Sequence, residues 1–355
     1  MIPKHKGTEK LCMNIKKQIA KLKAQIEEEK KHKKISRASL GWFVEKHGAA
    51  QLLLLGLTKS GKSSIISKVT NAKPAISPYP YTTTEPVAGM LPFEDISFQL
   101  VEAPSFKPFE AESWNRRVAS LARNADGLIF VLNLEEDACW QYEFITHMLD
   151  NLNVSIEKPK AYVTIEKKPV NIGIQIVGRV IDSTYDEIKK LLNSYGIFNA
   201  VVKIYGEASI DDVEEAIFGE VVYKPTLVLA NKIDVEGSKK KLENLKALIK
   251  DVNKILPTSC VTGGGLDMLG SKIFRTLEII RVYTKPPSKK EKSDKPIIVR
   301  KGSTVLDVAR EIHSELYEKF SYAKVWGLSA KYDGEKVGSS HVLMDGDTVE
   351  IHLKK

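Results

Sequence analysis

The sequence predicts an α/β fold, a mostly parallel sheet with helices on both faces. Three observations predict it. An apolar run, Gln51 to Leu55, leads into a glycine-bearing turn, and "KSSIISKVTNA" behind that turn reads as a helix. Further apolar strands, "GLIFVLNL" and "TLVLANKID", carry no polar face, as strands covered on both sides require. Strand, loop and helix alternate between them, with "AESWNRRVASLARNA" and "DACWQYEFITHMLDN" as helices on either side of "GLIFVLNL".

The elements follow in chain order. Between residues 1 and 40 stand twelve Lys or Arg against four Glu, so about +8 of the chain's net +9 lies in this arm. Ile15, Ile19, Leu22 and Ile26 fall on one helical stripe there. Such an arm suits a phosphate-rich partner, RNA first, or serves only as a solvated charged helix. The turn after the first strand has the spacing Gly56–x4–Gly61–Lys62–Ser63, a P-loop pattern. Its glycines let backbone N–H groups face phosphate oxygens, its lysine reaches the β- and γ-phosphates, and its serine ligates Mg²⁺. The helix N-terminus behind it adds positive potential. The candidate phosphate-binding residues are Gly56, Leu57, Thr58, Lys59, Ser60, Gly61, Lys62, Ser63 and Ser64.

An irregular Pro- and Thr-rich stretch, "AKPAISPYPYTTTEPVAGM", precedes the alternating strand "ISFQLVE". From about residue 157 to 221 the rhythm breaks into "AYVTI", "GIQIVG", a helix "STYDEIKKLLNSYG" and "AVVKIY", a small α+β insertion. The charged "KPPSKKEKSDK" reads as a linker, and the last 60 residues mix short strands with one helix. The expected division is 1–47 for the arm, 48–156 with 222–284 for the main domain, 157–221 for the insertion, 285–295 for the linker, and 296–355 for the C-terminal domain.

Composition is that of a globular chain, 43% apolar and 28% charged. No apolar stretch of about 18 residues is present, so no membrane association is expected. The three cysteines, Cys12, Cys139 and Cys260, are scattered without metal-ligand spacing, which suits a reducing cytoplasm.

Asn231-Lys232-Ile233-Asp234 ends a buried strand, where a parallel sheet opens its binding crevice. A carboxylate there accepts from both the ring N–H and the exocyclic amine of guanine; adenine leaves it unpaired. Asn231 is expected to brace the loop and the Lys232 stem to cover the base. Ser259, Cys260 and Val261 are expected to offer backbone N–H groups to the guanine oxygen.

The order of P-loop, "YPYTTTEP", NKxD, "RVYTKPP" and "YAKVWGLSAKYDGEKVGSSHVLMDGDTVEIH" resembles the developmentally regulated GTP-binding proteins among the Obg-related GTPases. The resemblance spans nearly the whole chain. It implies a cytoplasmic, Mg²⁺-dependent GTPase domain, a C-terminal β-grasp TGS domain, and an association with ribosomes, ribosomal RNA or a small accessory protein. It also implies that Thr83 meets Mg²⁺ and the γ-phosphate, beside Ser63 and the acidic residue of the second switch.

That second switch departs from the family's Asp-x-Pro-Gly and reads Glu102-Ala103-Pro104-Ser105. The longer Glu102 must displace the water through which the usual aspartate holds Mg²⁺, or shift the strand end. Ser105 replaces a glycine whose backbone rotates toward the γ-phosphate. Lys59 stands where relatives carry Asn or Ser, the asparagine version being associated with a potassium ion near the phosphates. Its ammonium supplies that charge directly, or points to solvent. The catalytic candidates are thus Lys62, Thr83 and Lys59. Two readings stand: a slow GTPase switch, or a GTP-holding scaffold whose hydrolysis is lost or strongly impaired.

Overall fold

A computed structural model describes residues 42, 44–72, 85–107, 112–158, 161–168, 173–218, 221–287 and 291–354. The basic arm, its Ile15–Ile26 stripe, and Thr82 to Thr84 lie outside the described residues.

The chain enters β1 (Ala50–Leu55), whose six residues are all buried, and turns through residues 56–61 into α1 (Lys62–Val69). A hairpin follows, β2 (Val87–Phe93) and β3 (Ile96–Glu102), then α2 (Glu112–Asn124), β4 (Gly127–Asn133) and α3 (Ala138–Asp150). Asp137 caps α3 by accepting from the N–H groups of Cys139 and Trp140. After the short β5 (Val154–Ser155) come β6 (Ala161–Lys167), β7 (Ile174–Val177), α4 (Tyr185–Ser194), β8 (Ala200–Gly206) and α5 (Ile210–Phe218). The short β9 (Val222–Tyr223) leads to β10 (Thr226–Asn231), α6 (Ser238–Leu248), β11 (Ile255–Thr258) and α7 (Leu269–Leu277). The chain ends with β12 (Ile279–Thr284), β13 (Ile297–Arg300), α8 (Val305–Ile312), α9 (Ser314–Glu318), β14 (Phe320–Trp326), β15 (Glu335–Val337) and β16 (Thr348–Leu353).

The main sheet has the order β11-β10-β4-β1-β3-β2, parallel throughout except for the antiparallel edge strand β2. Leu52, Leu54, Phe98, Leu100, Ile129, Val131, Leu227 and Leu229 from its strands meet Ile65, Ile66 and Ile273 from the helices. Each such side chain contributes roughly 1.5–3 kcal/mol by leaving water. Because β1, β4 and β10 are parallel neighbours, their C-terminal ends bring residues 56–61 and 231–234 to one edge.

The insertion is its own layer. Its sheet runs β6-β8-β7, and its core of Val180, Ile188, Leu192, Val202, Ile204 and Val213 is separate from that of the main sheet. Thr184 and Glu187 form a capping box at the start of α4. The chain leaves and returns beside the parallel pair β5–β9.

The C-terminal boundary differs from expectation. The strand 279–284, assigned above to the main domain, pairs instead with β13 and β16 in the sheet β13-β12-β16-β14-β15. The stretch read as a linker joins two antiparallel neighbours, and Ser293 donates its N–H to the Thr284 carbonyl at 2.8 Å. A Pro- and Lys-rich hairpin loop and an interdomain linker share the same composition, so only strand pairing separates them. The sheet is packed on α8 through Val282, Val305, Val308, Ala323, Val325 and Val349.

Arg281 ties this C-terminal sheet to the β2–β3 turn. Its guanidinium meets Asp345 at 2.7 Å, Asp95 at 2.9 Å and also Glu94. Burial by itself raises the Asp95 carboxyl, but hydrogen bonds from Tyr283 and Arg281 outweigh it and hold the group below its ordinary value.

Candidate nucleotide-binding site

Two close approaches explain the loop glycines. A Cβ on Gly56 would stand 2.5 Å from the Val131 carbonyl, and one on Gly61 would stand 2.2 Å from Asn231 Nδ2. Gly61 also has φ +96°, a left-handed value that other residues resist. Asn231 is buried; its Nδ2 donates to the Ser60 carbonyl at 2.8 Å, and its Oδ1 accepts from Thr258 Oγ1 at 3.3 Å. The base-side strand thereby grips the phosphate-side loop. Leu57 is buried, and so is Ser60, whose hydroxyl has no partner among the described residues. Thr58 and Ser64 are half-buried.

Beneath the loop, Lys62 is 4% exposed. Its ammonium donates to the carbonyls of Gly56 and Leu57, each at 3.0 Å, and to Ser105 Oγ at 2.8 Å. Burial lowers its pKa to about 8, and the Glu102 carboxylate offsets only part of that effect. Ser63 donates its hydroxyl to Glu102 Oε1 at 2.5 Å, and Glu102 is itself buried. The structure thus joins two P-loop side chains to two positions of the second switch.

The switch segment is fixed by groups that local sequence reading does not single out. Ala103 donates its N–H to the Leu54 carbonyl at 3.1 Å. Ala103 and Pro104 are buried. Trp114 Nε1 donates to the Ser105 carbonyl at 3.0 Å. Asn115 accepts from the Lys107 N–H at 2.9 Å and donates to its carbonyl at 2.8 Å. Between them Phe106 is fully buried, edge-on to Phe144 with ring centroids 6.2 Å apart. Ser105 does not carry a positive φ; the non-glycine residues that do are Lys59, Glu94, Asn153, Lys232 and Glu278 among the described residues.

On the base side, Lys232 takes φ 66° and pairs its ammonium with Glu135 at 2.5 Å, and this bond lowers the Glu135 pKa. Glu135 was not singled out in the sequence, because its role depends on β4 and β10 ending side by side. Ile233 donates its N–H to the Thr258 carbonyl at 3.2 Å, and Asp234 is exposed at the sheet edge. One expectation needs correction. The Ser259 N–H donates to the Gly264 carbonyl at 3.0 Å, so it is not available to a base oxygen. The turn that closes 259–264 takes that donor, which leaves Cys260 and Val261 as the candidates. Cys260 is a free thiol whose pKa burial raises, and Val261 is 82% exposed.

Lys59 is exposed, and its ammonium pairs with no described residue. Thr83 lies outside the described residues. No cluster of three or more His, Cys, Asp or Glu suited to a metal occurs among the described residues. The oxygen pair Ser63 and Glu102 nevertheless fits Mg²⁺, a hard cation that takes few protein ligands and completes its shell with phosphate and water.

A P-loop clasped by an Asn-Lys-x-Asp strand and followed by a β-grasp sheet defines a guanine-nucleotide-binding protein of the P-loop GTPase class. Family models match in series: "50S ribosome-binding GTPase" over residues 51–170, its C-terminal region over 171–279, and "TGS domain" over 280–353. A GTP-binding protein of Methanocaldococcus jannaschii is 32% identical over 99% of this chain and 90% of its own length. The human Developmentally-regulated GTP-binding protein 2 is 29% identical over 99% of this chain and 95% of its own. The Schizosaccharomyces pombe YchF GTPase shares the fold, with a TM-score of 0.50 at 14% identity, covering 88% of this chain and 100% of that one. The chain belongs to the developmentally regulated GTP-binding protein family and binds GTP.

Proposed function

We propose that this chain is a slow, Mg²⁺-dependent GTPase switch acting on the ribosome in the cytoplasm. The observation that carries the reading is the joining of Lys62 to Ser105 and of Ser63 to Glu102. Groups that meet phosphate and metal in a P-loop are here bonded to the segment that must sense them. Bound nucleotide competes for these donors, so its arrival and its hydrolysis re-sort the second switch.

In this reading Asp234 selects guanine, Asn231 holds the loop, and the Lys232 stem covers the base plane. Ser63 and Glu102, together with Thr83, would hold Mg²⁺, which would supply positive charge to offset that of the phosphates. Lys62 stabilises the charge that develops on the phosphate oxygens, and Lys59 supplies the positive charge that a monovalent cation otherwise brings. The ribosomal part rests on the family description over residues 51–170 and on the +8 arm, which suits ribosomal RNA or a small accessory protein.

Co-sedimentation with purified ribosomes tests that part, using full-length protein loaded with GDP or with a non-hydrolysable GTP analogue. Preferential pelleting of the analogue-loaded form, weakened steeply by salt, is expected. Equal and negligible pelleting of both forms at low salt would exclude the ribosome as partner.

A further inference from the structure

The second switch of a GTPase with glycine after the proline can sense the γ-phosphate by rotating its main chain. In this chain that route is closed. Turning the main chain at Ser105 would break the Trp114 bond to its carbonyl and both Asn115 bonds to Lys107, and would pull the buried Phe106 from beside Phe144. The Cβ of Ser105 further disfavours the positive φ that such rotation uses.

The side chain offers a different route. A lysine ammonium has three donors, and those of Lys62 go to Gly56 O, Leu57 O and Ser105 Oγ. The first two acceptors belong to the P-loop itself. Ser105 alone lies on another segment, so it is the partner most readily exchanged when phosphate oxygens reach Lys62. Its oxygen is the acceptor in that bond, and its O–H, which rotates about the Cβ–Oγ bond, can donate to a further acceptor near the same ammonium.

We propose that the Ser105 hydroxyl is the γ-phosphate reader of this protein, a side-chain donor on a fixed main chain that replaces the family's rotating glycine. With no nucleotide bound, Ser105 accepts from Lys62. Either nucleotide draws Lys62 to its phosphates, and only a γ-phosphate then gives the Ser105 O–H an oxygen to donate to. Trp114 and Asn115 are positioning residues that hold the hydroxyl at the right height. The inference rests on the nucleotide-binding reading of the site and adds a specificity-determining residue to it.

The test is the ratio of affinities for a non-hydrolysable GTP analogue and for GDP, measured by displacement of a fluorescent GDP on the full chain with Mg²⁺ present. Release of Lys62 is common to both nucleotides and cancels in the ratio. Ser105→Ala should lower the analogue-to-GDP ratio about tenfold, as expected for one hydrogen bond to a charged group. Ser105→Thr, which keeps the hydroxyl, should restore it. Ser105→Gly should behave like Ala, because Trp114 and Asn115 still pin the main chain. A circular-dichroism spectrum and thermal transition matching those of the wild type show that the fold of each variant is intact. A ratio unaltered in Ser105→Ala, or raised in Ser105→Gly, overturns the proposal while leaving the nucleotide site standing. Failure of the wild type to bind either nucleotide would instead overturn the underlying assignment of the site.

Discussion

Lys62 gives the most quantitative prediction. In the structure its ammonium is buried and its pKa is about 8, well below the ordinary lysine value. Bound phosphates place negative charge beside it and raise that pKa again, so binding draws a proton onto Lys62. The sign follows from linkage. Below the free-state value the ammonium is already charged and affinity is full; as pH rises through it, part of the binding energy goes to reprotonation and affinity falls. With a free-state pKa of about 8, the dissociation constant for GDP should rise about tenfold between pH 7 and pH 9, and about half a proton should be taken up per binding event at pH 8. Calorimetric titration with GDP at pH 8, in two buffers of different ionisation enthalpy, counts that proton directly. No proton uptake, together with a flat affinity from pH 7 to pH 9, would refute the reasoning and show that Lys62 is fully charged before phosphate arrives.

Three further outcomes are expected. Asp234→Asn reverses the hydrogen-bonding polarity toward the base, so GDP affinity should fall at least 10²-fold while xanthosine diphosphate becomes preferred; unchanged GDP affinity in a nucleotide titration would remove Asp234 from base recognition. With Lys59 in place of a monovalent cation, exchange of sodium for potassium should leave basal phosphate release unchanged, and clear potassium stimulation would assign Lys59 to solvent. Arg281→Ala removes the contacts to Asp95 and Asp345, while the more exposed Glu94 contributes little, so the local cost is about 2 kcal/mol. That corresponds to roughly 30-fold faster hydrogen exchange at the 93–96 and 344–347 turns. Because both Asp carboxyls are held below their ordinary value, the clamp's contribution is complete above about pH 4 and is lost as pH falls through the lower folded values.

Much of the main fold is legible in the chain. Apolar strands such as Leu52 to Leu55 and Leu128 to Leu132 announce burial on both faces, and the glycine spacing of residues 56–61 announces a turn that carries backbone donors. Less legible are features set by distant partners. Asn231 reaches Ser60 across 171 positions, and nothing local in either segment specifies that bond. In the stretch from Phe106 to Arg117 the sequence announces only the helix that begins at "AESWNRR". Its content, Trp114 and Asn115 holding the main chain around Phe106, appears once the helix Glu112–Asn124 is packed beside the strand end. The main-domain boundary at 284 falls one strand late for a similar reason, since nothing in residues 279–284 names β13 and β16 as their neighbours. Glu102 is legible in the sequence only as one methylene more than aspartate; that its carboxylate accepts from the Ser63 hydroxyl appears only in the structure.

The claim on which the account turns is that the rearranged second switch still supports hydrolysis. Single-turnover release of labelled phosphate from pre-bound GTP, with and without Mg²⁺ and with and without ribosomes, measures it directly. The account predicts slow release approaching one phosphate per protein with Mg²⁺, faster release with ribosomes, and none when the metal is chelated. GTP that stays bound and intact over many hours with Mg²⁺ and ribosomes present would contradict it and leave a GTP-holding scaffold.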